Sequence, residues 1–580
     1  MKIVALFAIT VSAAPHVTRV APLGGQAGAV IEVELHGKDL GGFVSARFDT
    51  AALQWVETIE AKAELVRGRV RVDRTAALGP HRLQAVTAKG VTNTRLFNVF
   101  EFEGVNEIEP NGKAAQTIAL KPQVVHGFMK TLADVDRFTF EARAGERWLF
   151  DLQSIERGGF LECSLTLYDE QGNEAAFNED QDEYLETPRL SVTFPKTARY
   201  TLKVDQYRGP QGVSCAGNCG YALHISKLPV VRSIFPLGAR PGSAYRVRFE
   251  GEALDGVTGA YLQRARGAEH YRMTFPFSMP IDGSDKIETI DALTADGREA
   301  RFQIPAAATP GLWRLWLRTK HGATEAMSVE IGGDAVDAVL TQKEHSYEIR
   351  LEQGKPFHAW TLAAQLGLPT IDTVLELFDG EGKLLAEHDD LMTGQGTVIG
   401  NPDSSLYYTP KKTETAKLVV RDRTSRTGAD FAYRLHFDDA EPSFQLLAEP
   451  EELSATPGET VTLEALLIKQ PGFESAVDVW IEGHPEARGQ FRADQHFGPS
   501  GDGDNINIPI VPLRVTIPKD ASAGDYSLQL RGQAAGKKGP VVEGLSTLWI
   551  GPNGKRNDTR RPLPRVSIHV IGPRDSRARK

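Results

Sequence analysis

Four carboxylates and one amide stand close together in this 580-residue chain: Glu107, Glu109 and Asn111 in the run Asn-Glu-Ile-Glu-Pro-Asn, then Asp134 and Asp136 after a short spacer. All five offer hard oxygen donors. Calcium takes six to eight such oxygens in flexible geometry, so convergence of these side chains would make a calcium site. Two further acidic groups, at Asn178 to Glu183 and at Asp389-Asp390, follow strand-like runs and read as solvated hairpin tips. Gly498 to Asn505 lacks the ligand ladder of a calcium-binding helix-loop-helix and reads as a long loop.

Catalytic patterns are missing. The chain has no His-Glu-x-x-His zinc helix, no Gly-x-Ser-x-Gly nucleophile elbow and no Gly-rich phosphate loop after a strand. The expectation is a protein without enzymatic activity, although a triad assembled in space leaves no such trace. Of three cysteines, Cys215 and Cys219 bracket a Gly-containing loop and are expected to form a disulfide staple in an oxidising compartment, while Cys163 reads as a buried thiol.

These residues must be positioned by strands. The chain holds 55 glycines and 33 prolines, spread along its length, with apolar residues alternating over short runs. That pattern predicts an all-β chain, and the length requires several cores. The N-terminus, Met1 to Ala13, has one lysine, an apolar run and small residues at its end, as an export signal has. No other stretch is long and apolar enough to span a membrane. The net charge of −10 hides a basic end: residues 553–580 carry net +7, leaving −17 for the rest. An acidic body argues against nucleic acid as a partner. The basic end reads as a solvated tail.

The chain repeats itself. Val17, Pro22, Leu23, Gly24, Gly28, Val33, Gly37, Leu40 and Gly42 each meet an identical residue 214 positions later, from Val231 to Gly256. A second repeat pairs Leu165 to Asp180 with Leu375 to Asp390 at an offset of 210. A two-domain module has therefore been duplicated. The Pro-Leu-Gly turn leading into a Gly-terminated strand resembles the Ig-like IPT/TIG domains. The run of Glu-x-Glu-Pro-Asn, Asp-x-Asp-x-Phe, Ala-Gly-Glu, Leu-x-Leu-Tyr-Asp-x-x-Gly, an acidic pair and a late Tyr-x-Leu-x-Val, from about Val105 to Leu228, resembles the bacterial pre-peptidase C-terminal domain, a jelly-roll-like sandwich of secreted proteins. A looser likeness links the last unit to the Ig-like and fibronectin-like units that close planctomycete-type surface proteins.

The resulting expectation is a tandem array of Ig-like and jelly-roll-like β-sandwiches: a signal peptide at 1–13, an Ig-like domain at 14–103, a jelly-roll-like sandwich at 104–228, a second Ig-like domain at 229–334, a second, degenerate sandwich at 335–441, an Ig-like or fibronectin-like domain at 442–552 and the basic tail at 553–580. The resemblance implies that the five acidic and amide positions bind calcium, as acidic residues of the equivalent linker and first strand do in the related collagen-binding domains of clostridial collagenases. Gly112 stands where those domains often carry another acid. Aligning Gly145 with Gly354 sets Lys343 opposite Asp134 and His345 opposite Asp136, with no Glu-Pro-Asn run before them, so only the first copy is expected to hold the metal. The expected protein is exported to the periplasm, cell surface or medium, where it binds, adheres or scaffolds, with an extracellular protein or polysaccharide as partner. Three alternatives are an accessory part of a secreted peptidase system, a carbohydrate-binding protein using Trp148, Trp313, Trp316 and Trp360, and an enzyme whose site leaves no motif.

Overall fold

The computed structural model describes residues 15–571 apart from 132, 155–162, 180–186, 207–218, 266–282, 364–365, 367–370, 390–402, 451, 471, 496–497, 500–505, 508, 537, 550–559 and 564. The leader at 1–13 and Cys215 lie outside the described residues. The chain is all-β, and among the described residues no helix is long and apolar enough to cross a membrane. Its strands group into five units, each with its own apolar cluster.

Unit 1 is a two-sheet sandwich. One sheet runs in the order His16–Ala21, Val30–Lys38, Leu65–Val72, Leu53–Ala61, and the other Gly24–Gln26, Arg95–Phe100, Gly79–Thr87, Phe43–Phe48. Unit 3 repeats this strand order, except that its long strand Gly283–Asp296 pairs with both Glu299–Gln303 and Gly259–Ala265 and so joins the two sheets into one of nine strands. The shared glycines have a steric reason. A Cβ on Gly37 would lie 2.0 Å from the His16 carbonyl oxygen, and one on Gly251 would lie 1.9 Å from that of Val230, the equivalent residue. Gly28 and Gly242 both turn the chain at positive φ, 85° and 71°, which side chains rarely adopt.

Units 2 and 4 share a different sandwich. In unit 2 one sheet runs Gly104–Asn106, Gln123–Phe128, Gly220–Ser226, Arg147–Gln153, Arg189–Thr193, and the other Gln116–Thr117, Asp136–Ala142, Ala198–Gln206, Cys163–Tyr168, Glu174–Asn178. Unit 4 keeps eight of these ten strands: Val336–Val339, Ala432–Asp438, Phe357–Leu362, Ser405–Tyr408 in one sheet, and Glu344–Leu351, Glu414–Asp422, Thr373–Phe378, Leu384–His388 in the other. Among the described residues, each unit 4 sheet lacks the first strand of its unit 2 counterpart.

Unit 5 corrects one sequence expectation. The segment read as a solvated basic tail supplies two strands, Arg560–Leu563 and Val566–Val570. The second lies between Glu452–Ala455 and Gly524–Leu528, and Val566, Ile568 and Val570 are buried in the core. The alternation of Val566-Ser-Ile-His-Val570 carries strand period, which the surrounding arginines masked.

Neighbouring units are welded together. Phe100, Val124 and Ala222 form an apolar seam between units 1 and 2. The Arg189 guanidinium grips Glu325 across units 2 and 3 with two hydrogen bonds, at 2.7 and 2.6 Å. Buried Arg434 of unit 4 pairs with Glu330 of unit 3 and with Asp337, beside Leu237, Leu312 and Trp360. Unit 5 returns to unit 1: Arg47 meets Glu452 and Asp525, and the Val91 amide donates to Ser454 Oγ at 3.0 Å.

Candidate metal centre

The site sits at one open end of the unit 2 sandwich. Gly104–Asn106 pairs parallel to Gln123–Phe128 in one sheet, and Gln116–Thr117 pairs parallel to Asp136–Ala142 in the other. The chain between them crosses from sheet to sheet and carries Glu107, Glu109 and Asn111 over the start of Asp136–Ala142. Strand alternation turns Asp136 inward along with Phe138 and Phe140, all at most 1 % exposed. Asp134 is fixed in the preceding turn, where its Oδ2 accepts the Lys130 amide at 2.7 Å.

Of the five residues singled out from sequence, Glu109, Asp134 and Asp136 form one cluster, Glu107 lies against Asp136, and Asn111 is joined to the group through its backbone amide on Glu109. One carboxylate oxygen from each of Glu109, Asp134 and Asp136 lies within 4.8 Å of the others. Oxygens on opposite sides of a calcium at about 2.4 Å each stand about that far apart. Asn111 is fully buried, and both its Oδ1 and Nδ2 are without a hydrogen-bond partner. Asp136 Oδ1 and Glu107 Oε2 are also buried and, with both carboxylates ionised, have no donor; a proton on Glu107 is shared with Asp136. Each such group costs about 1–3 kcal/mol unless a partner is supplied.

The remaining lone pairs are held in place. Glu107 Oε1 accepts the Phe128 amide at 2.8 Å, and Glu109 Oε2 accepts the Asn111 amide at 3.0 Å. Tyr221 donates its hydroxyl to Asp136 Oδ2 at 2.5 Å. The sequence reading missed this tyrosine, the second residue of the unit's last strand, Gly220–Ser226. Lys130 Nζ lies 3.0 Å from Glu109 Oε1 on an exposed side chain. Gly112 also has a local reason: a Cβ there would lie 2.8 Å from the Val135 carbonyl oxygen, so an acid at that position would force the turn to shift.

Electrostatics follow from packing acids together out of water. Burial, then the neighbouring Asp136, push Glu107 up to about 9. Burial is also the largest cause raising Asp136, to about 6. Without a cation, Glu107 therefore holds its proton at neutral pH. These oxygens fit a hard divalent ion of calcium's coordination habit better than magnesium, which demands near-ideal octahedral geometry.

Unit 4 has the same frame without the site. His345 Nδ1 lies 2.8 Å from the Tyr433 hydroxyl, and Tyr433 is the second residue of its strand as Tyr221 is of its own. The two tyrosines thus mark Asp136 and His345 as equivalent. Lys343 and His345 put nitrogen where unit 2 has carboxylate, and the crossing segment is absent: four residues join Met327–Ile331 to Val336–Val339.

Other sequence candidates fare differently. Cys219 is buried and disulfide-bonded, and Cys163 is buried. Trp148, Trp313 and Trp360 are buried, which leaves Trp316, beneath the Arg314 guanidinium at 4.7 Å, as the one half-exposed ring of the four. Unit 4 also holds an arrangement that no motif betrayed: His358 Nδ1 is 2.8 Å from Asp438 Oδ1 and its Nε2 is 3.0 Å from Ser405 Oγ. That is the order of a charge relay. Its imidazole, however, is stacked on Tyr407 at 3.9 Å and on Trp360 at 4.6 Å, and Ser405 is 4 % exposed.

No family model matches the chain, and no curated protein matches it.

Proposed function

We propose that the chain is a non-catalytic, exported binding or scaffolding protein in which one calcium ion, held by Glu107, Glu109, Asn111, Asp134 and Asp136, locks the entry of unit 2. The pre-peptidase C-terminal and IPT/TIG resemblances support export to the periplasm, cell surface or medium, with an extracellular protein or polysaccharide as partner. The observation that carries the metal reading is the convergence of Glu109, Asp134 and buried Asp136, with Glu107 pressed against Asp136 and the buried Asn111 side chain without a partner. A cation would satisfy these oxygens and discharge their mutual repulsion, so binding stabilises the folded state by mass action. The chain's own residues orient the carboxylates: Tyr221 fixes Asp136, and the Phe128 amide fixes Glu107.

The Asp438, His358 and Ser405 set is read as a buried structural network, because its hydroxyl is withdrawn from solvent. The test of the metal reading is thermal unfolding of the full chain in calcium and in chelator. A transition that moves up by several degrees with calcium, and stays put in a variant with Asp134→Ala and Asp136→Ala, supports it. Identical transitions in both media would remove it.

A further inference from the structure

Unit 4 presents an edge that unit 2 has filled. In unit 2 the outer side of Asp136–Ala142 is paired with Gln116–Thr117, in register Gln116 with Phe138 and Thr117 with Thr139, and Ile118 packs into the core. In unit 4 the equivalent strand, Glu344–Leu351, ends its sheet, with no partner on that side among the described residues. The core-facing positions register the difference. His345, Tyr347 and Ile349 are half-buried, where Asp136, Phe138 and Phe140 are fully covered. Val336, at the head of the neighbouring edge strand, is 37 % exposed. A recess of about 450 Å³ opens along this edge, lined by Gln342, Glu344, His345, Ser346 and Tyr347.

We propose that this edge of unit 4 is a docking site for an extended peptide of a partner protein, added as a strand and anchored by a Glu or Asp side chain. Strand addition is a common mode of peptide recognition: backbone hydrogen bonds give affinity, and pockets for alternate side chains give specificity. An unpaired edge presents the N–H and C=O groups for it. The chain itself supplies the template: in unit 2 the bent segment that follows Gly104–Asn106 ends in Gln116–Thr117, which pairs parallel with the matching strand.

Charge decides the anchor. In unit 2 the incoming Glu107 faces Asp136, acid against acid, and needs a cation. In unit 4 the same approach meets His345, whose Nδ1 is 2.8 Å from the Tyr433 hydroxyl, with the Tyr347 hydroxyl 2.7 Å from Tyr433. Tyr433 uses its one hydroxyl hydrogen within this chain of contacts, which leaves the His345 Nε2–H or the Tyr347 hydroxyl, according to the tautomer, to donate outward, and Lys343 lies just before them. Glu344 also lines the recess, but with Glu348 it is exposed and alternates to the side of the strand opposite His345 and Tyr347. A carboxylate therefore finds hydrogen-bond donors here without a metal, and charge-assisted bonds of this kind are roughly twice as strong as neutral ones. The proposal does not depend on the calcium reading.

The probe is a fluorescent synthetic peptide with the sequence of residues 104–118, titrated with the full chain in chelator and followed by anisotropy. Saturable binding of one peptide per chain is expected, weakened about tenfold or more when the peptide carries Glu107→Gln or the protein carries His345→Asp. The second variant places in unit 4 the residue that the same frame already holds in unit 2, and circular dichroism checks that it folds. No saturation up to about 1 mM, on the affinity scale of weak complexes, would overturn the proposal, as would equal affinity for the Gln peptide and the His345→Asp protein. Loss of binding on Asp136→Ala with His345 intact would overturn it too, by assigning the peptide to unit 2. Self-association of the chain that the peptide disrupts would put a second copy there in place of a partner.

Discussion

Units 2 and 4 are the same sandwich with opposite endings. Unit 2 closes its open end with its own chain, and doing so drives Glu107 against buried Asp136 and buries Asn111 without a side-chain partner. Unit 4 omits that segment and has His345 where Asp136 stands, so its end is neither closed nor acidic. One retained tyrosine serves both: Tyr221 donates to a carboxylate, and Tyr433 bridges an imidazole and Tyr347. A duplicated domain has thus kept its frame while the chemistry at one strand start went two ways. The acids and the covering segment belong together, since each is costly or pointless without the other.

The comparison breaks most sharply at the acids themselves. Glu107→Gln with Asp136→Asn should lower calcium affinity about 100-fold or more, the usual scale for losing two charged ligands. His345→Asn should leave it unchanged. Both are read by calorimetric titration of the full chain. The converse graft, Lys343→Asp with His345→Asp, should confer no second site, because unit 4 has no counterpart to Glu107, Glu109 and Asn111.

Proton linkage gives the next effect. Glu107 moves from its ordinary 4.5 to about 9, so the calcium-free fold binds more protons than the unfolded chain across that window. Stability in chelator should therefore fall as pH rises from about 4.5 towards 9, and calcium should flatten the decline. At pH 7.5 calcium binding should release about one proton, measured by titrating in buffers of different ionisation enthalpy.

Smaller effects sharpen the picture. Tyr221→Phe should weaken calcium about three- to tenfold, the worth of one hydrogen bond that orients a ligand, whereas Tyr433→Phe should not alter it. His126, buried beside Phe100 where units 1 and 2 meet, is held by burial at about 4, well below its ordinary 6.5. It is neutral in the fold, so its contribution is complete above about 6.5 and is lost as pH falls towards 4. His126→Gln should flatten that acid limb, read by amide hydrogen exchange of Phe97 to Phe102 in the presence of calcium.

The cluster of Glu109, Asp134 and Asp136 was legible because its members are close in sequence and because strand period fixes which side of Asp136–Ala142 faces inward. Aligning Gly145 with Gly354 sufficed to set His345 opposite Asp136, since both glycines end the same strand pair with positive φ, 80° and 75°. Tyr221 was not legible: it reaches Asp136 from 85 residues away, through sheet order alone. The same holds for the weld of Arg47 to Glu452 and Asp525, and for the Asp438, His358 and Ser405 network. Surface charge hid the strand Val566–Val570, whose alternation was present all along.

The most direct test of the central claim, one metal site created by the covering segment of unit 2, is the calcium stoichiometry of the full chain by equilibrium dialysis. The account predicts one ion per chain at about millimolar calcium or below, the range of extracellular modules, and none in the Glu107→Gln and Asp136→Asn protein. Two equivalent ions per chain, or none up to about 10 mM, an order of magnitude beyond that range, would contradict it.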